Sequence, residues 1–222
     1  GVIPALGVGV VLESKAEGFA AGDHVFGPLC SQTHAVMPAF TMKKIDTTVA
    51  PASAYLGALG LTTGLTAYFG IVDVGQVKAG DTVVVSGAAG AVGSVAGQIA
   101  RLSGASKVIG IAGGAHKSKF LVDDLKFDAA IDYKNENVAA RLDELAPDGI
   151  NVFFDNVGGD ILDDVLMRIV EGSRIVICGG ISQYENMDDV RGPKNYLKLA
   201  ERHATMEGFA VFHFAEHYAR AE

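Results

Sequence analysis

Three glycines follow a short apolar run in the middle of the chain, and their surroundings could bind phosphate. Gly87, Gly90 and Gly93 come directly after the run 82–85, and a helical pattern follows them. A tight glycine turn between a strand and a helix presents backbone N–H groups, which bind a diphosphate. The spacing is GxxGxxG rather than the common GxGxxG, so packing of the strand on the helix is the alternative explanation. The context favours a dinucleotide site.

The segment about 20 residues after this turn indicates which dinucleotide is bound, because NAD sites place an Asp or Glu there to hold the ribose 2′-hydroxyl. This chain instead has the segment Ile111-Ala112-Gly113-Gly114-Ala115-His116-Lys117, which lacks a carboxylate. A cation favours a 2′-phosphate, which a carboxylate would repel. The sequence therefore predicts NADP(H) with Lys117 as the phosphate contact, and a solvated lysine is the alternative.

Polar residues also follow two later apolar runs. Asn156 lies in the segment 155–159, and Tyr184 ends the segment Cys178–Tyr184. Ligands of open α/β sheets bind at the carboxyl ends of the strands. We therefore expect Asn156 to contact the ribose or the nicotinamide amide, although Asn and Gly are also common turn residues. Tyr184 could reach the nicotinamide side, or it could pack within its loop.

The elements that would position these groups alternate along the chain. Apolar residues at steps of three and four predict a helix over 92–103. Strands are predicted at 82–86, 107–111, 129–132, 152–155, 174–178 and near 209–212, and further helices at 52–71, 117–125, 137–145, 160–170 and 216–222. Strands separated by helices imply parallel pairing with right-handed crossovers. The predicted fold is α/β, a doubly wound parallel (Rossmann) sheet of about six strands preceded by a β-rich segment over 1–50.

Composition narrows the possible functions. The 222-residue chain has a formal net charge of −8, which argues against a nucleic-acid partner. Two cysteines without a CxxC motif and histidines without an HExxH motif give no metal site. The missing GxSxG motif argues against an acyl hydrolase. We expect no membrane span and no signal peptide, and we expect a fragment or a chain trimmed at its front.

Several separate stretches resemble, in the same order, the zinc-independent branch of the medium-chain dehydrogenase/reductase superfamily. The nearest group is the NADP-dependent alkenal/one reductases, which include leukotriene B4 12-hydroxydehydrogenase (prostaglandin reductase) and curcumin reductase. The stretches are 61–70, 88–94, 132–134, 155–159, 178–184 and 206–209. The resemblance implies a split, GroES-like catalytic domain, of which residues 1–50 would be a part, and an NADP-binding Rossmann domain with connecting helices over 51–222.

The resemblance also implies the site residues. Tyr68 and Tyr184 would border the substrate, and Tyr184 is the candidate catalytic hydroxyl. The implied cofactor-binding residues are Gly90, Ala91, Val92, Gly93, Lys117, Tyr133, Asn156, Cys178, Gly179, Ser182, Tyr184, Ala210, Val211 and Phe212. Within this set, Gly90–Gly93 would hold the diphosphate, and Lys117 and Tyr133 would hold the 2′-phosphate end.

The implied activity is NADPH-dependent reduction of the C=C bond of an α,β-unsaturated aldehyde or ketone. Hydride would reach the β-carbon, and a hydroxyl, from Tyr184 or from the cofactor ribose, would stabilise the enolate before it is protonated at the α-carbon. The alternatives are a quinone oxidoreductase and a nucleotide-binding module without turnover. A cytoplasmic location and a homodimer are further expectations.

Overall fold

The computed structural model describes residues 2–221, and by packing the chain divides into two units, one up to Gly64 and one from Leu65 onward. The division into two units by packing does not test the predicted domains 1–50 and 51–222. That division into domains stays a prediction. No helix of the described residues is long and apolar enough to cross a membrane.

The first unit contains a small antiparallel sheet. Its strands are β1 (Gly7–Val10), β2 (His24–Gly27) and β3 (Lys43–Lys44), in that order across the sheet. Short 3₁₀ turns occupy Ala39–Thr41 and Ala52–Leu56. This sheet fits the partial GroES-like β domain that the resemblance implies.

The second unit alternates helices and strands. It begins with α1 (Thr66–Phe69), which a π-helical turn at Gly70–Val74 follows; another π-helical turn, Leu61–Leu65, precedes α1 and includes the last residues of the first unit. The sheet strands are β4 (Thr82–Ser86), β5 (Lys107–Ala112), β6 (Ala129–Asp132), β7 (Ile150–Asp155), β8 (Ile169–Ile177) and β9 (Thr205–Gly208). The helices between and after them are α2 (Ala91–Leu102), α3 (Ala115–Asp123), α4 (Val138–Leu145), α5 (Gly159–Leu166), α6 (Leu197–Glu201) and α7 (Tyr218–Ala221). Two 3₁₀ segments, Ile181–Asp189 and Val211–His217, complete the unit.

All six strands are parallel, and their order across the sheet is β6-β5-β4-β7-β8-β9. The connection reverses direction at the β4–β7 pair, so a crevice opens beyond the carboxyl ends of these two strands. This order confirms the predicted doubly wound sheet.

The apolar run of β4 forms the centre of the core because both faces of the sheet are covered. Val83 and Val85 pack on one face with α2 residues such as Ala96, whereas Val84 packs on the other face with Leu142 of α4. All three valines of β4 are fully buried. A continuous rather than alternating apolar run is typical of a parallel strand buried on both faces.

Two predicted elements were wrong. The last strand is Thr205–Gly208 rather than 209–212, because Val211 begins a 3₁₀ segment and Phe209 packs edge-on against Phe214. The helix predicted over 160–170 ends at Leu166, and β8 already begins at Ile169.

Candidate functional site

The glycine turn after β4 leads directly into the N-terminus of α2. The N-cap is Gly90, which has no side chain to cap the helix, and its carbonyl accepts a hydrogen bond from the Ser94 N–H. The first N–H groups of an α-helix lack intrahelical partners, so they are available to an anion. At Gly93 a Cβ would lie 2.4 Å from the Gly87 carbonyl oxygen, so only glycine allows this close approach of turn and helix. The geometry fits a diphosphate.

The carboxyl ends of β4 and β7 are joined by side-chain hydrogen bonds. The Ser86 hydroxyl donates to the Asp155 carboxylate at 2.6 Å and accepts from the Asn156 N–H at 2.9 Å. The Asn156 side-chain nitrogen donates to the Ser86 carbonyl at 2.7 Å. With its nitrogen bound to β4, the Asn156 amide presents its oxygen as an acceptor for a ligand.

Asp155 organises the loop after β7. Its carboxylate also accepts hydrogen bonds from the backbone N–H groups of Val157 and Gly158. Burial raises the pKa of Asp155 above its ordinary value, and the hydrogen bonds from Ser86, Gly158 and Val157 oppose that rise. Its burial and these hydrogen bonds together fix the position of the Asp155 carboxylate beneath the loop after β7.

The segment after β8 lies on the loop after β7. The Cys178 and Gly179 N–H groups donate to the Asp155 carbonyl, and the Ser182 hydroxyl donates to the Val157 carbonyl at 2.6 Å. Burial, assisted by the charge of Asp155, raises the pKa of the Cys178 thiol to about 11. Cys178 is therefore a neutral thiol at neutral pH rather than a nucleophilic thiolate.

Tyr184 folds back toward the start of its own segment. Its hydroxyl oxygen accepts a hydrogen bond from the Gly180 N–H at 3.1 Å, and a Cβ at Gly179 would lie 2.9 Å from the same oxygen. Since the hydroxyl accepts from the backbone, its own proton is available to another acceptor. The side chain is more than half exposed, at 57%.

The ends of β5 and β6 form the second part of the site. Lys117 is exposed in the first turn of α3 and forms no ion pair within residues 2–221. The Asp132 carboxylate accepts a hydrogen bond from the Gly114 N–H at 2.6 Å and another from the Lys134 N–H. The Tyr133 ring lies beside Gly113. Gly113 belongs to the turn between β5 and α3, and Lys117 follows it in the first turn of α3. The structure thus places the Tyr133 ring against the turn that precedes α3, the helix whose first turn contains Lys117.

The remaining predicted residues lie near the two ends of the second unit in sequence. Val211 is buried and Phe212 is exposed, both within a 3₁₀ turn. Tyr68 on α1 packs edge-on against Phe69, and the Arg220 guanidinium lies 5.9 Å from the Tyr68 ring centre. The contacts of all these residues with a cofactor or substrate stay predictions.

The sequence analysis missed two features of the site. Ser86 joins Asp155 across 69 positions of the chain, and no local motif marks such a pair. The second feature is a cavity of about 290 Å³ at the N-terminus of α5. It is lined by Gly159, Asp160, Asp163, Ser182, Gln183, Arg191, Gly192 and Lys194.

Comparisons with known proteins agree with this geometry. The sequence profile described as zinc-binding dehydrogenase matches residues 91–221. YfmJ of Bacillus subtilis, which carries the name of an NADP-dependent oxidoreductase, is 47% identical over 97% of this chain and 64% of its own length. A 2-alkenal reductase (NADP⁺-dependent) of Nicotiana tabacum is 40% identical over 98% of this chain and 63% of its own.

A solved structure is similar along nearly the whole chain. The crystal structure of CurA from Vibrio vulnificus in complex with NADPH superposes with a TM-score of 0.89 at 37% identity, covering 98% of this chain and 66% of CurA. These matches confirm the resemblance to the medium-chain dehydrogenase/reductase group. The chain spans less than two thirds of the length of each of these relatives.

The zinc in the profile's description has no counterpart in the part of the chain that the structure describes. Within residues 2–221, no group of three or more His, Cys, Asp or Glu side chains is placed to hold a metal ion. These described residues therefore do not offer the ligand set that a zinc ion needs.

Proposed function

This chain belongs to the zinc-binding dehydrogenase family, and from that premise we propose that it binds NADP(H) and serves in the reduction of the C=C bond of α,β-unsaturated aldehydes or ketones. One observation carries the cofactor assignment. The uncapped N-terminus of α2 stands at the sheet's switch point, while the turn after β5 has Gly113 and Lys117 in place of an acid. When bound, NADPH would supply a hydride.

The residues of the chain divide the binding task. The N–H groups at the start of α2 would bind the diphosphate, and the exposed ammonium of Lys117 would pair with the 2′-phosphate. Asn156 would offer its amide oxygen to the ribose or to the nicotinamide amide. Support for NADP(H) comes from the name of the Nicotiana tabacum relative and from the NADPH complex of CurA.

The substrate would meet the hydroxyl of Tyr184. Because this hydroxyl accepts from the Gly180 N–H, its proton is directed to another acceptor, such as the carbonyl oxygen of an enal or enone. A hydrogen bond there would stabilise the enolate that forms when the β-carbon is reduced. The ribose hydroxyl remains the alternative donor. The name of the Nicotiana tabacum reductase supports an alkenal as the substrate class.

NADPH oxidation in the presence of an enal, an enone or a quinone tests the activity. We expect turnover with the enal or enone. Faster turnover with the quinone would favour a quinone oxidoreductase, and NADPH binding without turnover would favour a nucleotide-binding module.

Tyr184→Phe tests the hydroxyl. We expect a fall in kcat of about 10- to 100-fold with little change in the Kd for NADPH, since one transition-state hydrogen bond is lost. Tyr196→Phe, at another exposed tyrosine, serves as the control. An unchanged kcat in Tyr184→Phe assigns the role to the ribose hydroxyl instead.

The proposal also covers the oligomeric state, the cellular location and the partner. We propose the homodimer and the cytoplasmic location that the resemblance implies, with a small-molecule enal or enone as the partner. Sedimentation equilibrium of the purified protein measures the oligomeric state, and a monomer at all concentrations would contradict the dimer.

A further inference from the structure

The two glycines that follow β5 are there for different reasons. Gly114 has a φ of +96°, a left-handed conformation that favours glycine, and a Cβ there would meet nothing within 4 Å. Gly113 does not have a positive φ, so its backbone accepts any residue type. A Cβ at Gly113 would, however, lie 2.9 Å from two ring atoms of Tyr133, Cε1 and Cζ, and 2.9 Å from its hydroxyl oxygen Oη. A side chain at position 113 would therefore require the end of the Tyr133 side chain to shift.

Position 113 lies in the segment where NAD sites and NADP sites differ. It is the first residue after β5, and it lies 20 residues beyond Gly93. NAD sites put their ribose-binding carboxylate about there. The Cβ of such an acidic side chain would lie closer to the Tyr133 ring than van der Waals contact allows.

Backbone hydrogen bonds hold the Tyr133 main chain at this place. The Tyr133 N–H donates to the Ala112 carbonyl at 3.1 Å, which continues the pairing of Ala112 with Asp132. The Asp132 carboxylate binds the Gly114 N–H from the other side. Because both strand ends are tied together, a side chain at 113 can be accommodated only if the ring itself moves.

We propose that Gly113 and Tyr133 form a cofactor-selectivity pair, in which the Tyr133 ring excludes a carboxylate from position 113. This inference rests on the proposed binding of NADP(H). Its consequence is that neither residue alone controls the preference. An acid at position 113 increases the affinity for NADH only when the Tyr133 ring is removed. Removal of the ring without the acid leaves the affinity for NADH unchanged.

A double-mutant cycle tests the pair. The wild type, Gly113→Asp, Tyr133→Ala and the double variant are titrated with NADH and with NADPH, and the fluorescence of the reduced nicotinamide is followed. We expect each single variant to leave the Kd for NADH within about threefold of the wild type. The double variant should bind NADH about tenfold more tightly, the gain of one hydrogen bond to a charged group.

Two controls separate this idea from others. Tyr133→Phe keeps the ring, so the Gly113→Asp/Tyr133→Phe protein should behave like Gly113→Asp. Gly113→Ala adds only the Cβ, and it should lower the Tm in the presence of Tyr133 but not in a Tyr133→Ala background.

Different failures have different meanings. A tenfold gain for NADH in Gly113→Asp alone, or additive effects in both the binding and the thermal cycle, would overturn the selectivity pair while NADPH binding by the wild type still upholds the proposed function. A wild type that binds neither nucleotide would overturn the function and this inference with it, even if the Tm cycle shows the steric coupling.

Discussion

Two aspartates each end a strand of the same parallel sheet, and the pKa values of their carboxylates are displaced in opposite directions. Asp155 ends β7, and burial raises its pKa. Asp132 ends β6, and hydrogen bonds from the Asn135 side chain and the Gly114 N–H lower its pKa despite the opposing effect of burial. Both are buried in the folded chain.

The difference shows that the two parts of the site are built differently. Beside Asp155, the Ser86 hydroxyl donates to the Asp155 carboxylate and the Asn156 side chain donates to the Ser86 backbone carbonyl, so the geometry is fixed before any ligand arrives. Beside Asp132, the carboxylate only holds the turn, while Lys117 and the Tyr133 ring stay exposed to a ligand. The first part sets positions and the second part selects the ligand, so changes in the first should cost stability and changes in the second should alter binding.

The largest effect is expected for Asp155→Ala. The change leaves the Ser86 hydroxyl and the Val157 and Gly158 N–H groups without their acceptor in a buried place. Unsatisfied buried donors should lower the free energy of unfolding by about 3 to 5 kcal/mol. Urea unfolding followed by circular dichroism measures this loss.

Asp148→Ala is the matched control, because Asp148 is exposed. It should change the free energy of unfolding by less than about 0.5 kcal/mol. If Asp155→Ala costs no more than Asp148→Ala, the idea that the β4–β7 end is held by internal bonds is wrong.

The next effect concerns the glycine turn. Gly93→Ala places a Cβ 2.4 Å from the Gly87 carbonyl oxygen, which belongs to the backbone and cannot rotate away. We expect a loss of about 2 to 3 kcal/mol in the free energy of unfolding, the usual cost of overpacking, together with weaker NADPH binding. Gly192→Ala is the control, since a Cβ there meets nothing within 4 Å and Gly192 has no positive φ. Equal stabilities of the two variants would contradict a tight turn.

The sequence predicted the parts of this comparison that depend on local pattern. The run of valines in β4, the glycines after it and the cation at position 117 are all visible in short windows, and the parallel pairing of the strands follows from the alternation of strands and helices. The pairing of Ser86 with Asp155 was not predictable in this way, because it joins residues 69 positions apart whose types are common in any strand end.

The errors also have a physical cause. Residues 209–212 are more apolar than Thr205–Gly208, yet the latter form β9 because they pair with Arg174–Ile177. The apolar character of Phe209 instead reflects its packing against Phe214, which in turn stacks on Phe69 at 4.6 Å. A tertiary contact outweighed local strand propensity there, as it commonly does.

A smaller effect, restricted to the ligand, is expected for Lys117→Ala. The side chain is exposed and unpaired within residues 2–221, so the free energy of unfolding should stay within about 0.5 kcal/mol of the wild type. The Kd for NADPH should rise by the equivalent of about 1 to 3 kcal/mol, whereas the Kd for NADH should hardly change. Lys119→Ala, two residues further along α3 and paired with Asp123, is the control. Equal losses for both nucleotides would remove Lys117 from the phosphate site.

The smallest effect, and the most direct check on the two aspartates, is the pH dependence of stability. A group whose pKa is raised in the folded state contributes stability below its unfolded pKa, and this contribution is lost as the pH rises through the folded pKa. For Asp155 the window therefore lies above the ordinary value of 3.8. A group whose pKa is lowered contributes stability above its unfolded pKa, and the contribution is lost as the pH falls through the folded pKa. For Asp132 the window lies below 3.8.

Urea unfolding of the wild type, Asp155→Asn and Asp132→Asn at steps from about pH 3 to about pH 6 separates the two windows. The stability of the wild type relative to Asp155→Asn should decrease as the pH rises, because the charged carboxylate is disfavoured where it is buried. Relative to Asp132→Asn it should increase, because the charged carboxylate is the form that accepts the bonds from Asn135 and Gly114. Slopes of the same sign would mean that the two strand ends share one electrostatic design, and the division between a positioning part and a selecting part would lose its basis.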